Sequence, residues 1–163
     1  MKKIIICFFI SSFATAQIAI GKENNNPAAL LDFPAGTTKG IILPAIVNTS
    51  NVASAVPGTL VFDRASLKVR YNDGFWRDLT DGTGVNPPYV ASPDQANAKV
   101  VLGSDTSAAD GVLVLESNTK ALVLPHIINP VTNVKSPVAG MICYDPGKKM
   151  MMVYDGQKWY FWN

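Results

Sequence analysis

The stretch TKGIILP at residues 38–44 is repeated almost unchanged as TKALVLP at residues 119–125, which lie 81 positions further along the chain. The similarity continues into PGTLVFD at 57–63 and AGMICYD at 139–145, whose glycines correspond at an offset of 82. Self-similarity at a fixed spacing is the signature of a repeated structural unit. The pattern therefore predicts that this chain of 163 residues uses one unit twice.

The similarity extends in both directions from these segments. Downstream, YNDGFW at 71–76 corresponds to VYDGQKW at 153–159 after one inserted residue. Upstream, the segment that begins AIGKE at Ala19 matches, more loosely, the segment that begins VLGSD at Val101. We therefore predict two homologous units of roughly 60 residues, a size at which a domain is only marginally stable alone. The predicted division is a signal peptide at 1–16, a first β-unit at 17–80, a linker rich in Gly, Pro and Asn at 81–100 and a second β-unit at 101–163.

The first residues, MKKIIICFFISSFATAQ, have the three parts of a secretory signal peptide. Two lysines precede an apolar run over residues 4–13, and Ala14-Thr15-Ala16 matches a signal-peptidase cleavage motif. The apolar run is shorter than the about 20 residues that a membrane-spanning helix needs. We therefore expect an exported protein with no membrane span after cleavage, located in the periplasm, at the outer cell surface or outside the cell.

Charge and cysteine content argue against two further classes of protein. The chain has 14 basic and 12 acidic residues, and loss of Lys2 and Lys3 with the leader leaves 12 of each. Nucleic-acid binding needs a basic surface, so no nucleic-acid partner is expected. Cleavage also removes Cys7 and leaves Cys143 alone, so the mature chain has no intrachain disulfide. Since Cys143 lies in an apolar run, we expect it to be a small buried side chain.

Short apolar runs separated by Gly, Pro, Asn and Asp predict an all-β fold. No segment has the pattern of an amphipathic helix, and the polar segments 45–56 and 126–138 are predicted as connections with room for one short helical turn. The predicted strands lie near 18–21, 29–33, 40–44, 58–63, 67–72 and 75–79 in the first unit, and near 100–103, 111–116, 121–125, 140–144, 150–154 and 158–162 in the second.

The Asp-Gly pairs at 73–74 and 155–156 lie between strand-forming segments. We expect each pair to close a hairpin through a two-residue turn with positive φ at both central positions. The runs GIIL, ALVL, TLVF and MICY are apolar without alternation, which predicts burial on both faces of each strand. Such burial requires either that the two units pack on each other or that identical chains pack together.

Few residues suit catalysis. His126 is the single histidine, in a predicted loop. Asp63 and Asp145 end predicted strands, while Asp73 and Asp155 precede glycine, so turn formation accounts for all four carboxylates. Motifs of nucleotide-binding, metal-binding or hydrolytic sites are absent from the sequence. The sequence therefore predicts a protein that is not an enzyme and that binds no cofactor or metal.

One strand face differs between the units. Lys68, Arg70 and Asn72 share a face because side chains alternate along a strand, and the equivalent residues of the second unit are apolar or aromatic. This face is either core, covered by the first unit or the linker, or a contact surface whose burial would favour association. Its aromatic residues could also stack on sugar rings. The candidate contact residues for a partner or ligand are Met150, Met152, Tyr154, Tyr160, Phe161 and Trp162.

The ordered set ALLDF, TTKGIILP, PGTLVFD and YNDGFW, followed by NTKALVLP, AGMICYD and YDGQKW, resembles a repeated module of secreted Bacteroidota surface proteins and of phage tail fibres. The two copies cover most of the mature chain. The resemblance implies a β-rich, non-enzymatic surface or fibre protein that is often elongated and, in fibres, commonly a homotrimer. The family often has a basic residue after the Leu-Pro, where this chain has Ala45 and His126.

These observations together predict an exported structural or adhesin-like interaction protein. We expect it to associate with itself, or to dock onto another protein in a cell-surface assembly, through the apolar face of the second unit. The alternative is a carbohydrate-binding, lectin-like module that uses the C-terminal aromatic residues to bind a glycan.

Overall fold

The computed structural model describes residues 18–23, 28–88, 99–109 and 111–163. The predicted signal peptide and residues 89–98 of the predicted linker lie outside the described residues. Within this part the chain is almost entirely β, as predicted, with four sheets and one α-helix of four residues. The elements are β1 (Ile18–Ala19), β2 (Ala29–Asp32), β3 (Ile41–Ile42), β4 (Ala45–Ile46), β5 (Leu60–Asp63), β6 (Lys68–Asn72), β7 (Trp76–Asp78), β8 (Val100–Leu102), β9 (Leu113–Leu115), β10 (Ala121–Leu122), α1 (Pro130–Asn133), β11 (Met141–Asp145), β12 (Met150–Tyr154) and β13 (Trp159–Trp162).

Two four-stranded sheets each contain a meander of three antiparallel strands. Their strand orders are β4-β5-β6-β7 and β13-β12-β11-β3. The registers of the two meanders match at a spacing of 82 residues, since Val61 faces Arg70 in the first and Cys143 faces Met152 in the second. All of the predicted strands are present, several of them shorter than expected, and β4 is an additional short strand inside the first polar connection.

The two meanders pack face to face around a shared core. The buried residues of this core are Phe62, Val69, Leu79, Ala139, Ile142 and Val153. Val61 and Phe62 are adjacent and both buried, as are Ile142 and Cys143. This confirms the predicted burial on both faces for TLVF and MICY. Each meander supplies the apolar layer that the other would lack as a separate domain of this size.

Parallel strand pairs also recur at the same spacing. β1 lies beside β2 with Ile18 opposite Leu31, and β8 lies beside β9 with Val100 opposite Leu113. The parallel contact between β4 and β5 has a counterpart in the bridge from His126 to β11. The registers of these pairs agree with the alignment of the two sequence segments.

Two strands cross between the halves of the chain. β3 pairs antiparallel with β11, with Ile41 opposite Ile142, and β10 pairs in parallel with β2, with Leu122 opposite Leu31. Residues of both predicted units therefore share the same sheets. GIIL and ALVL lie at sheet edges, and for them the expected burial on both faces is wrong, because Ile42 and Leu122 are exposed.

The Asp-Gly pairs close hairpins, but through loops wider than predicted. The strand registers leave loops 73–75 and 155–158, and within each Asp-Gly pair the positive φ is confined to glycine, 112° at Gly74 and 100° at Gly156. The expected two-residue turn with two positive φ values is therefore wrong. In the second hairpin, the Asp155 carboxylate accepts hydrogen bonds of 2.8 Å from two backbone N–H groups within the loop, which stabilises the wider turn.

Each polar connection contains one short helical turn, and each lies over the outer face of its own meander. The first turn is a 3-10 helix at Thr49–Asn51, and Arg70 of β6 donates a hydrogen bond of 3.3 Å to the Thr49 hydroxyl. The second is α1, after which Val134 packs in one cluster with Met152 of β12. The connections therefore form covering layers for the two meanders.

The first part of the predicted linker packs against the C-terminal hairpin. The Gly82 N–H donates a 2.7 Å hydrogen bond to the Tyr160 hydroxyl, and the Val85 N–H donates one of 2.9 Å to the Asp155 carbonyl. A Cβ atom added at Gly84 would lie 1.8 Å from the same carbonyl oxygen. This part of the chain therefore requires glycine at position 84 and is an ordered layer of the fold.

Candidate interaction surface

The six predicted contact residues are divided between two faces of the β11–β13 sheet. Met152 lies opposite Phe161, and Val153 lies opposite Tyr160. Cross-strand partners point to the same face, and side chains alternate along each strand. The outer face therefore has Met150, Met152, Tyr154 and Phe161, and the face toward the shared core has Tyr160 and Trp162.

The centre of the outer face is buried. Met152 is completely buried in a second core cluster, which lies beneath the connection that carries α1. The cluster consists of Ile127, Val134, Met141, Cys143 and Met152, with Met150, Tyr154 and Trp159 packed against it. The prediction that Met152 contacts a partner at the surface is therefore wrong. The centre of this face is therefore core, but the expected cover, the first unit or the linker, is wrong, because Ile127 and Val134 of the connection at 126–138 cover it.

The β13 rim, which we define as the edge strand β13 with Phe161 and Trp162, is open to solvent. Phe161 is 48% exposed and Trp162 is 41% exposed, on opposite faces of the strand. Among the described residues, β13 pairs only with β12, so its outer edge has unpaired backbone groups. The Lys148 ammonium lies 5.1 Å from the centre of the Phe161 ring. Exposed aromatic side chains on an unpaired edge are typical of a contact surface.

A groove of about 480 Å³ lies between α1 and the C-terminal hairpin. The rings of Tyr154 and Trp159 line it, with their centres 5.2 Å apart and their planes tilted by 45°. Phe161, Lys135 and Lys158 also border the groove. Aromatic faces beside ammonium groups suit a ligand that has both apolar and hydroxyl-bearing surfaces.

Tyr160 is held by contacts within the chain. Its hydroxyl oxygen accepts the hydrogen bond from Gly82, and the Lys158 ammonium lies 5.0 Å from the centre of its ring. These contacts anchor the start of the predicted linker to the hairpin. Tyr160 therefore has a structural role, and Phe161 and Trp162 are the predicted contact residues that are most exposed.

The Cys143 thiol and the His126 imidazole both pack against other parts of the fold. Cys143 is completely buried, and burial, together with the nearby charge of Asp145, raises the pKa of its thiol to about 12. The thiol is therefore protonated at neutral pH, as expected for a small buried side chain. The His126 ring packs 5.3 Å from the Tyr144 ring. Among the described residues, no group of three or more His, Cys, Asp or Glu side chains could hold a metal ion.

The strand-ending aspartates form turns, as the sequence predicts. One carboxylate oxygen of Asp63 accepts hydrogen bonds of 2.9 and 3.2 Å from the backbone N–H groups two and three residues later. Asp145 makes the same contacts at 2.9 and 3.4 Å. These side chains stabilise the four-residue loops between the first two strands of each meander, and their position explains why both are aspartate.

One exposed apolar region was not predicted. Val112 is 66% exposed and Leu113, on β9, is 47% exposed, whereas the corresponding Leu30 and Leu31 of β2 are each 3% exposed. The two segments are similarly apolar, so their sequences give no signal of this difference. The difference arises because β2 has a strand on both sides, whereas β8 is the only strand beside β9 among the described residues.

Comparison of this chain with protein-family models, curated proteins and solved structures gives no match. Of the helices in the part of the chain described here, none has the length and apolar character needed to cross a membrane. The proposed function therefore depends on the residues, edges and surfaces of the chain itself.

Proposed function

We propose that this protein is an exported, non-enzymatic structural or adhesin-like interaction protein made of two homologous β-units. It associates with itself or docks onto another protein in a cell-surface assembly. The observation that carries this proposal is the exposure of Phe161 and Trp162 on β13, whose outer edge has no strand beside it in the part of the chain described. Unpaired backbone groups and exposed aromatic rings at one place both favour the addition of a partner.

Burial of Phe161 and Trp162 at the β13 rim would favour binding of a partner. Burial of a large apolar side chain contributes about 1.5–3 kcal/mol, and hydrogen bonds from a partner's backbone would fix its orientation. The Lys148 ammonium beside the Phe161 ring adds a charged group to the same surface. A partner that contributes an extended strand with apolar side chains and an acidic group would match these features.

The assignment to an exported, non-catalytic class is supported by the sequence and by the use of the titratable groups. The leader pattern over 1–16 supports export. Cys143 is buried and protonated, and Asp63 and Asp145 stabilise turns. Since these groups have structural roles, they are not available as nucleophile or base.

Site-specific photo-crosslinking in cells that export the chain tests the proposal. A photoreactive phenylalanine analogue at Phe161 should give one discrete adduct, with a second copy or with another envelope protein, in the exported fraction. The matched control is the same analogue at Phe75, which is 77% exposed on the first hairpin loop and should give no adduct. Retention of the chain in the cytoplasm, or equal labelling from both positions, would contradict the proposal.

A carbohydrate-binding function is the second candidate, because the groove beside α1 has two tilted aromatic rings and two lysines along its border. Retention on immobilised polysaccharides would then persist at high salt and be lost in Phe161→Ala. Phe75→Ala, which removes an exposed ring of the first hairpin, should leave retention unchanged. Equal retention of both variants would rule out this groove as the glycan site.

A further inference from the structure

Several strand edges are open in the part of the chain described here, and four of them have counterparts in the pairing between the two halves of the chain. β3 and β10 each end a sheet, and β9 has only β8 beside it. β5 is paired with β4 at Phe62 and Asp63, so the edge at Thr59 and Leu60 has no strand beside it. Two of these edges, β3 and β10, correspond to each other. The other two, β9 and the start of β5, correspond to β2 and the start of β11, which each have a strand at the equivalent edge.

The strands that correspond to β9 and to the start of β5 are covered inside the chain, by an arrangement that we call the exchange contact. It consists of β10 lying along β2 and of β3 lying along the start of β11. The Val123 N–H donates to the Leu31 carbonyl at 3.2 Å, and the Leu43 N–H donates to the Gly140 carbonyl at 3.0 Å. The first half of the chain thus contributes one strand to the second half and receives one in return.

The exchange contact decides which apolar side chains are buried. Leu30 and Leu31 lie beside β10 and are buried, whereas Val112 and Leu113, 82 positions later, are largely exposed. β9 and β2 have equivalent parallel neighbours, because β8 pairs with β9 in the register in which β1 pairs with β2. The exposed region of β9 therefore corresponds to the covered region of β2, and β9 lacks only a strand equivalent to β10.

We propose that a second copy of this chain repeats the exchange contact on these open edges. β3 of one copy lies along β9 of the other, with Ile41 opposite Leu113. In return, β10 of the other copy lies along the start of β5 of the first, with Leu122 opposite Leu60. The registers follow from the internal contact. Ile41 corresponds to Leu122, and Leu113 corresponds to Leu31, which faces Leu122. In the same way, Leu60 corresponds to Ile142, which faces Ile41.

This inference rests on the proposed self-association and gives it a surface separate from the β13 rim. The occupant is a second copy because the complementary edges, β3 and β10, belong to this chain and are themselves open on one side. Two different surfaces meet in the contact, so the association is heterologous and produces either a closed ring or a filament.

The contact between copies should be weaker than the internal one. A Cβ atom added at Gly40 would lie 2.8 Å from the Ile142 carbonyl oxygen, and β10 has Ala121 at the position of Gly40. The strands between copies must therefore separate slightly at this point. We expect an association that depends on protein concentration.

Light scattering and sedimentation of the chain, isolated from cells that export it, provide the first test. The weight-average mass should rise with concentration from one chain to at least two. Leu113→Lys places a charge on the open edge and should weaken association by about tenfold or more, the factor expected for loss of one buried large apolar side chain. Phe75→Lys, on the first hairpin loop and 77% exposed, is the control and should leave the mass unchanged.

Disulfide trapping between different chains tests the register. In a Cys143→Val background, a chain with Ile41→Cys is mixed with a differently tagged chain that has Leu113→Cys. Mild oxidation should yield the mixed disulfide dimer. Replacement of the Ile41→Cys chain by one with Phe75→Cys should yield none, because the proposed contact does not bring the first hairpin loop to β9.

The outcomes separate this inference from the proposed function. An oligomer that is insensitive to Leu113→Lys and gives no mixed disulfide, but dissociates in Phe161→Ser/Trp162→Ser, would overturn strand exchange and leave the β13 rim as the contact. A mass of one chain at every concentration would overturn strand exchange between copies, while photo-crosslinking from Phe161 to another protein would still support docking. A mixed disulfide with a concentration-dependent mass would establish the exchange contact between copies.

Discussion

The outer faces of the two meanders share one backbone register and have opposite chemistry. In the first, Arg70 of β6 lies 3.3 Å from Asp63 and 2.9 Å from Asp78, and Lys68 lies 2.6 Å from Asp78. In the second, the corresponding strand β12 places Met152 in an apolar cluster. The same strands can therefore be stabilised by ion pairs or by apolar packing, provided that the covering connection matches.

The chemistry of each covering connection matches the face that it covers. The first presents the Thr49 hydroxyl to Arg70, whereas the second presents Ile127 and Val134 to Met152. The difference between Arg70 and Met152 also changes the contacts of the aspartate that ends the preceding strand. In the first meander, one carboxylate oxygen of Asp63 pairs with Arg70. The equivalent oxygen of Asp145 is buried without a hydrogen-bond partner among the described residues.

The largest expected effect is that of Met152→Arg, which gives β12 the residue of β6. A guanidinium would replace a completely buried side chain, and the single free oxygen of Asp145 would compensate only part of its desolvation. We expect a loss of about 4 kcal/mol in the free energy of unfolding, measured by urea denaturation.

The matched exchange, Arg70→Met, should cost about 2 kcal/mol, since Asp63 loses a charged partner but retains two backbone hydrogen bonds. Because the two meanders share one core, both variants should unfold in a single transition. Equal losses would show that the outer faces do not differ as their packing indicates, and two separate transitions would contradict the shared core.

The two Asp-Gly hairpins should respond differently to alanine. Gly156 has φ of 100°, and an added Cβ would lie 2.7 Å from the Val85 carbonyl oxygen, whereas Gly74 has φ of 112° and open space around it. Gly74→Ala should cost about 1 kcal/mol from backbone strain alone. Gly156→Ala should cost about 3 kcal/mol, because it also displaces the segment that contains Val85. Thermal unfolding of both variants measures the difference, and equal shifts would contradict the packing of that segment.

Acid should affect the first meander through its ion pairs. The hydrogen bond from Lys68 holds the pKa of Asp78 below its usual range. A lowered folded-state pKa contributes stability above the unfolded pKa of about 4, and this contribution is lost as the pH falls through the folded pKa. Lys68→Met should remove the larger part of it, while Arg70 still contributes, and should reduce stability at pH 7 by less than about 1 kcal/mol because Asp78 is partly exposed to solvent. Urea titrations from pH 7 to about pH 2 should show the variant and wild type converging, and a constant difference would contradict this origin.

The smallest expected effect is that of Cys143→Val, which gives β11 the residue of β5. Both side chains are buried and similar in size, so the free energy of unfolding should change by less than about 1.5 kcal/mol. In the wild type, the raised pKa and burial of the thiol predict negligible alkylation at pH 8 until the protein unfolds. Rapid alkylation of the native protein would show that the core opens at β11.

Much of the fold could be predicted because its signals are local. The strand positions, the turn-forming aspartates and the short helical turns follow from apolar runs and from Asp and Gly at fixed places. Both Asp-Gly loops are longer than the predicted two-residue turns. In the second, the carboxylate of Asp155 stabilises a wider loop that a dipeptide pattern does not specify.

The candidate surface could be predicted only in part. The apolar character of residues 150–162 is visible in the sequence, but strand alternation alone does not determine which face a connection covers. Met152 became core because Ile127 and Val134 lie over it, and Tyr160 became an anchor because Gly82 lies beside its hydroxyl. Both contacts join residues that are distant in the sequence.

The sequence by itself determined that the chain is all-β and which residues form its strands and turns, because these depend on the local spacing of apolar, glycine and aspartate residues. The tertiary structure decided which edges and faces are covered. β2 and β9 have similar apolar sequences, yet β10 lies along the second edge of β2, whereas no described strand lies along the corresponding edge of β9. The cause is that strand pairing and burial depend on neighbours supplied by distant parts of the chain, or, in our proposal, by a second copy.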